Sequence, residues 1–406
     1  MPLPPDPLRH LEAELAELDR RGLLRLPPDP APAAAPRPLV LCSNDYLGYA
    51  AAPWASTQTV SGSGASRLVT GEHPAHAEAE RAVAAWLRAG ASLLFSSGYA
   101  ANTGAIAALA RPGDVVLSDA LNHASIIDGC RLSGARVVVV PHLDLGAFER
   151  ALAEARPAPA RRPTIAPARA GAPSNTHRAT HAPAEPPARV WVITESVFSM
   201  DGDTPDLRAL RALCDAHDAA LYVDEAHALG VLGPEGRGAC AEAGVVPDVL
   251  VGTLGKALGL QGAFVAGSPV LRTYLWNRAR SFVFSTGVSP ALAARVAENV
   301  RRAAADDAAR ARLHDNAARL RRGLAELGVP LVPGSRGPVL PWLVGSPSVA
   351  VAISRSLREE GILVLPIRPP TVPPGTSRLR ITATAALTDA DIDRALRAFA
   401  RAARAG

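Results

Sequence analysis

Between residues 91 and 253 the chain alternates short apolar runs with helical patterns, and this alternation constrains the fold more than any other feature. ASLLFSS, DVVLSD, ARVVVV, VWVITE, ALYVDEAH and VPDVLVGTLGK read as strands. Between them NTGAIAALA, HASIIDGCRLSG, DLGAFERALAEA and DLRALRALCDAHD carry apolar residues at helical spacing. The pattern predicts an α/β fold, a mostly parallel sheet with helices on its faces. In such sheets ligands gather beyond the C-terminal ends of the strands. Ser118, Asp119, Glu195, Asp224, Thr253 and Lys256 fall at those ends.

After Pro290 the pattern changes. One long Ala/Arg-rich helix is expected over 291–327, then extended pieces in PVLPWLVG and GILVLPIRPP. A strand in SRLRITAT and a helix over 388–403 complete a smaller α+β C-terminal domain. Ahead of the sheet, Leu8, Leu11, Leu15 and Leu18 form one face of a helix expected over 8–24, and a second helix is expected over 75–89. The expected divisions are an N-terminal helix and arm (1–55), a large domain (56–288) and the C-terminal domain (289–406). Within the large domain, 156–189 holds eight prolines and no helical period, the composition of a disordered surface insert.

The net charge of +5 raises the question of a nucleic-acid partner. The 156–189 segment contains six arginines and one acid, Glu185, so it accounts for the whole excess. The remaining chain is neutral overall, which argues against nucleic acid. No run approaches the ~18 apolar residues of a membrane span, and MPLPPDPLRHLEAELAELDRR has no apolar leader core, so a cytoplasmic protein without a membrane partner is expected. Cys42, Cys130, Cys214 and Cys240 stand far apart, which predicts free thiols rather than a disulfide or zinc framework.

Of 43 lysines and arginines only one is a lysine, Lys256. Arginine serves for ion pairs but stays protonated, whereas a lysine can lose its proton and form an imine with an aldehyde. Asp224 ends the apolar strand one crossing earlier. An amine near a buried carboxylate is what pyridoxal phosphate (PLP) requires: the amine for its aldehyde, the anion for its pyridinium nitrogen. It also requires small residues and hydroxyls at its phosphate and a flat group over its ring. Gly98-Tyr99 opens a helix whose first amides would face an anion. Thr253 lies beside Lys256, His227 follows Asp224, and His123 begins a helix at a strand end. Alone, Gly98 is an ordinary strand-to-helix turn and His123 a capping histidine; together with Lys256 and Asp224 they form a constellation.

Other motifs fail on inspection. GTLGKA misses the phosphate-loop pattern because Leu250 and Ala257 stand where Gly and Ser or Thr are needed. GSGASR follows no convincing strand and has Arg67 in place of a third glycine. His73-x-x-His76 has no third ligand at a suitable spacing, so no metal is expected.

Longer motifs carry a family resemblance: SNDYLG (43–48), GSGASRLVTG (62–71), LFSSGYAAN (94–102), HASIIDG (123–129), TESVFSMDGD (194–203), DEAHALGVLGPEGRG (224–238), GTLGKALGLQGAFV (252–265) and FSTGVSP (284–290). From about residue 8 to 400, broken by the 156–189 insert, the chain resembles the α-oxoamine synthases. These are fold-type-I PLP enzymes that condense an amino acid with an acyl thioester and release CO2. The resemblance implies that Lys256 holds the cofactor's aldehyde and takes the Cα proton, and that Asp224 pairs with the pyridinium nitrogen. It implies that His227 bonds the phenolic oxygen and that His123 stacks on the ring and meets the substrate. Gly98, Tyr99, Ser199 and Thr253 would hold the cofactor, mainly at its phosphate.

By the same resemblance, Asn44 and Arg380 would bind the amino-acid carboxylate, and Arg25 and Thr371 would touch the acyl substrate. A homodimer is implied, with active sites at the interface and FSTGVSP approaching the partner's cofactor. IRPPTVPPGTSRLRIT (367–382) is most similar to the branch that joins L-alanine to a pimeloyl thioester, on CoA or acyl carrier protein, in biotin synthesis. Two alternatives stay open: a sister synthase joining glycine to acetyl-CoA, and a catalytically silent PLP-binding regulator. Residues 1–50 are short for the DNA-binding module such a regulator would carry.

Overall fold

The computed structural model describes residues 10–25, 38–53, 60–155 and 188–405. The insert expected over 156–189 lies outside the described residues except for its last two. In chain order the elements begin α1 (His10–Arg20), β1 (Leu39–Val40), α2 (Pro74–Leu87), β2 (Ala91–Phe95), α3 (Gly98–Leu109), β3 (Val115–Asp119) and α4 (Ala124–Ser133). They continue with β4 (Arg136–Val140), α5 (Leu145–Glu154), β5 (Val190–Glu195), α6 (Leu207–Ala216), β6 (Ala220–Asp224), α7 (Ala239–Ala243), β7 (Val249–Thr253) and β8 (Ala263–Gly267). After these come α8 (Pro269–Arg278), α9 (Arg280–Val283), α10 (Pro290–Ala305), α11 (Asp307–Glu326), β9 (Val339–Gly345) and α12 (Pro347–Glu359). The chain closes with β10 (Ile362–Leu363), β11 (Leu365–Ile367), β12 (Ser377–Thr382) and α13 (Asp389–Ala405).

The large sheet has seven strands in the order β2-β8-β7-β6-β5-β3-β4. Strands β4, β3, β5, β6 and β7 are mutually parallel, as the alternation requires. Strand β8 runs antiparallel to both of its neighbours. The alternation did not disclose it, because β8 follows β7 through a glycine-rich loop with no helix between them. Side chains of the central strands alternate between two apolar cores. Leu117, Val192, Leu221 and Val223 face one. Val116, Trp191, Ile193 and Tyr222 face the other. Successive side chains of a strand point to opposite faces, so a sheet covered on both sides needs near-continuous apolar runs. Each fully buried valine, leucine or isoleucine contributes about 1.5–3 kcal/mol.

The loop joining β7 to β8 carries Lys256, and it is tightly folded. Leu260 N donates to Leu254 O (2.8 Å), Gly259 N to Lys256 O (2.8 Å) and Leu254 N to Gly262 O (2.9 Å). Gly259 has φ +65, and a Cβ there would come within 2.5 Å of Ala50 N. Only glycine fits this left-handed position pressed against the SNDYLG segment.

The C-terminal part is built on an antiparallel sheet of order β11-β12-β9. Strand β1 pairs in parallel with β10, so the N-terminal arm joins this part of the chain. The helix expected over 291–327 is two helices. Asp306 leaves helical geometry (φ −92, ψ 59) and caps α11 by accepting from Ala309 N at 3.0 Å. Its other oxygen accepts from Tyr49 Oη at 2.8 Å. Helix α12 was not foreseen: its valines and isoleucine suit a strand as well, but Ala350, Ile353 and Leu357 bury one helical face. The helix expected over 8–24 is described from His10 and ends at Arg20, where the chain turns through Gly22 (φ +64). Leu11, Leu15 and Leu18, expected to line its apolar face, are exposed on the single chain. No helix among the described residues is long and apolar enough to cross a membrane.

Asp306→Ala removes both the α11 cap and the acceptor for Tyr49. It should lower unfolding stability by about 1–2 kcal/mol, read as a lower urea midpoint at unchanged slope.

Candidate active site

A cavity of about 190 Å³ opens at the C-terminal ends of the central strands. Its lining includes Gly98, Tyr99, Asn102, His123, Ser125, Glu195, Asp224, His227, Thr253 and Lys256. Seven of these were anticipated from the sequence as cofactor-site residues: Gly98, Tyr99, His123, Asp224, His227, Thr253 and Lys256. Two larger clefts, of about 420 and 710 Å³, lie at the opposite strand ends around Val249 and Asp248. Neither contains Lys256, Asp224 or His227, and the chemistry concentrates in the smaller space.

Asp224 ends β6 and is 6% exposed. Its carboxylate is held from two sides: Ala226 N donates to one oxygen (2.8 Å) and Asn102 Nδ2 to the other (2.7 Å). Asn102 is oriented in turn by Tyr222, whose hydroxyl donates to Asn102 Oδ1 at 2.8 Å. Sequence reasoning missed Asn102. Its signal was a carboxamide in the otherwise apolar helix GYAANTGAIAAL, where a buried polar side chain needs a partner.

Lys256 Nζ lies 2.8 Å from His227 Nε2. Burial pushes the lysine pKa down, opposed by the charges of Asp224 and Glu195 and aided by Arg380. Burial pushes the Glu195 carboxyl up, and the nearby Asp224 charge adds to this. His227 is held well below the usual imidazole range by burial and then by Lys256 and Arg380. His123 opens across the cavity, yet the protein packed behind it lowers its pKa as well. The ring caps α4, with Nδ1 accepting from Ser125 N at 3.2 Å, and its own backbone N–H donates to Glu195 at 2.6 Å. The cavity therefore holds a lysine eased toward its neutral form, near a firmly held carboxylate.

The anion-facing side is the start of α3. Ser97 caps the helix through Ala100 N, at 3.1 Å, and the first amides of a helix have no partner within it. A Cβ on Gly98 would meet only Thr253, at 3.8 Å or beyond, so the space before these amides is open. An open anion cradle, a carboxylate and a neutralisable amine in one cavity are the donor set PLP requires, and the residues present fit it.

The remaining anticipated residues lie outside the cavity lining. Arg380 donates to Asn44 Oδ1 (2.9 Å) and to the backbone oxygen of Ser199 (2.5 Å), so Asn44, Ser199 and Arg380 form one group behind His227. Ser199, expected at the phosphate, gives its backbone carbonyl to Arg380. Tyr46, to which no role was given, links this group to the cavity: its hydroxyl lies 2.7 Å from His227 Nδ1. Arg25 Nη2 donates to Thr371 Oγ1 at 3.1 Å, so those two meet each other.

Other singled-out residues are structural. His73 and His76 form the capping box of α2. Asp119 receives Leu121 N (2.8 Å) and Leu143 N (3.0 Å) and faces His142. His142 bridges Asp119 (2.8 Å) and Asp203 (3.0 Å), tying β3 to the 195–203 loop.

Residues 36–399 match the family model for class I and II aminotransferases. The chain is 43% identical to the 8-amino-7-oxononanoate synthase of Marinobacter nauticus, over 97% of this chain and 96% of that one. It is 44% identical to the synthase of the same name from Anaeromyxobacter dehalogenans, over 96% and 94%. Among solved structures it is similar to the serine palmitoyltransferase of Sphingomonas wittichii, with a TM-score of 0.84, 28% identity and 99% of both chains covered. It is similar also to the S. paucimobilis serine palmitoyltransferase solved with bound PLP, with a TM-score of 0.83, 27% identity and 99% of both chains.

The His142 bridge makes stability depend on pH. Burial alone would lower its pKa, but the bonds to Asp119 and Asp203 outweigh burial and carry it up to about 10. A raised folded pKa gives stability that is complete below the unfolded value of about 6.5 and is lost as pH rises through about 10. His142→Gln should therefore cost about 1–3 kcal/mol at about pH 6. Urea midpoints of the two proteins should converge as pH approaches about 10.

Proposed function

We propose that this chain, which belongs to the class I and II aminotransferase family, joins L-alanine to a pimeloyl thioester, giving 8-amino-7-oxononanoate, CO2 and the free thiol. The observation that carries the reading is the near-full-length identity to synthases of that product, joined to a cavity built around the chain's single lysine. The cofactor is pyridoxal phosphate. When bound, it supplies an electron sink for negative charge at Cα of an attached amino acid. In the net reaction alanine Cα bonds to the thioester carbonyl carbon, the C–S bond breaks, and the alanine carboxylate leaves as CO2.

The residue roles in this reading are those the family resemblance implies, and the cavity's lining is compatible with them. Lys256 would hold the cofactor's aldehyde and, as a free amine, would take the Cα proton; its lowered pKa leaves the amine able to accept it. Asp224, fixed by Asn102, keeps the pyridine nitrogen protonated. His227 bonds the phenolic oxygen, and His123 meets the ring and the substrate. Gly98, Tyr99, Ser199 and Thr253 would hold the cofactor, mainly at its phosphate. Arg380 and Asn44 take the amino-acid carboxylate, and Arg25 with Thr371 takes the acyl side. The chain works as a cytoplasmic homodimer with FSTGVSP near the partner's site; Phe284, at 73% exposed, supports an interface there.

A product assay by mass spectrometry tests the substrates. Alanine with pimeloyl-CoA should exceed glycine with acetyl-CoA by at least about 100-fold in kcat/KM, since several methylenes are buried with the longer chain. The reverse preference would move the chain to the glycine branch.

A second measurement tests the carboxylate. Asp224→Asn should still bind cofactor but exchange the Cα proton of alanine for deuterium about 100-fold more slowly or worse. Wild-type exchange rates in that variant would contradict the role.

A further inference from the structure

Tyr46 lies in the SNDYLG segment, is 0% exposed, and touches three polar groups. Its hydroxyl is 2.7 Å from His227 Nδ1, 3.2 Å from Asn44 Oδ1 and 3.4 Å from Arg380 Nη2. His227 Nε2 is 2.8 Å from Lys256 Nζ. One line of hydrogen bonds thus runs from Arg380 through Tyr46 and His227 to the reactive amine.

The donors and acceptors along this line permit two arrangements. Arg380 can only donate, so the Tyr46 oxygen accepts from it and has one proton to give. When Lys256 is an ammonium it must donate to His227 Nε2. The ring then carries its proton on Nδ1 and donates to Tyr46, whose own proton turns to Asn44. When Lys256 is neutral the ring can donate from Nε2, and Tyr46 turns its proton to Nδ1. The first arrangement makes one more hydrogen bond than the second, because Asn44 Oδ1 then receives Tyr46 as well as Arg380 Nη1.

We propose that Tyr46 is a positioning residue: its hydroxyl fixes which nitrogen of His227 carries the proton, and so whether the ring offers Lys256 a donor or an acceptor. The proposal deepens the active-site reading above and rests on it. The titratable and charged groups around Lys256 are Asp224, Glu195, Arg380, His123 and His227. Tyr46 touches two of these, His227 and Arg380, and reaches Lys256 through the imidazole, where it favours the ammonium form.

The single lysine makes this measurable. In the full-length protein, freed of cofactor with hydroxylamine, trinitrobenzenesulfonate labels the neutral amine only. Labelling rate against pH, read by mass spectrometry on the Lys256 peptide, gives the midpoint at which Nζ loses its proton. Tyr46→Phe keeps the ring and its packing and should move that midpoint down by about 0.5–1 pH unit. The same change made on His227→Ala should move it by less than about 0.2 unit, because the effect passes through the imidazole. An unmoved midpoint in Tyr46→Phe, or an equal shift with and without His227, overturns the proposal. Should Tyr46→Phe fail to fold, Asn44→Ala tests the same line. It removes the acceptor for the Tyr46 proton and must also lower the midpoint; an unmoved midpoint there overturns the proposal. No substrate enters the measurement, so a chain that prefers glycine and acetyl-CoA would leave its outcome untouched.

Discussion

Glu195, Asp224 and Lys256 share one small buried space, and the architecture around them exists to make that tolerable. Burial disfavours every charge, so isolated ions would simply neutralise. Asp224 is fixed in place because a backbone amide and Asn102 both donate to its carboxylate. Glu195 and Lys256 are each pushed toward their neutral forms. The sheet makes this possible: β5, β6 and β7 are adjacent and parallel, so the groups at their C-terminal ends arrive together.

The small C-terminal sheet reaches the same place from the other side. Arg378 and Arg380 alternate with Leu379 along β12, so both guanidiniums leave from one face while the leucine enters the core. Arg378 pairs with Asp201 and Arg380 bonds Ser199 O, which fastens the 195–203 loop from above. His142 fastens the same loop from below through Asp203. A loop held at three points presents Glu195 and Ser199 without depending on its own conformational preferences.

The sequence made legible whatever depends on strand periodicity or residue type. The parallel strands, the placement of Asp224 and Lys256 at strand ends and the Gly98 turn were all readable. Beyond that, periodicity had nothing to say. Strand β8 follows β7 with no helix between them, so it falls outside the alternation, and α12 is rich in residues that suit strands. Asp306 interrupts what composition presents as one helix, because capping is a local hydrogen bond rather than a periodic signal. Tyr46 and Asn102 were invisible for a different reason. Each works through a partner distant in the chain, His227 and Asp224 respectively, and single-sequence reasoning cannot pair them. The bond from Arg380 to the Ser199 carbonyl was hidden in the same way, because it joins positions 181 residues apart.

Lys256 sits in the bend between two antiparallel strands rather than in a crossover leading to a helix. Both ends of its loop are locked in the ladder: Thr253 stands opposite Ala263, and Leu254 closes onto Gly262 just beyond. The ordering entropy of this segment is therefore spent when the protein folds, not when substrate arrives. For a reactive group this amounts to a high effective concentration, since the amine has little space to wander before it meets its target. The same rigidity confines the amine's freedom to the four-carbon side chain, so the swing of one flexible stem, with the backbone still, is the motion available to it.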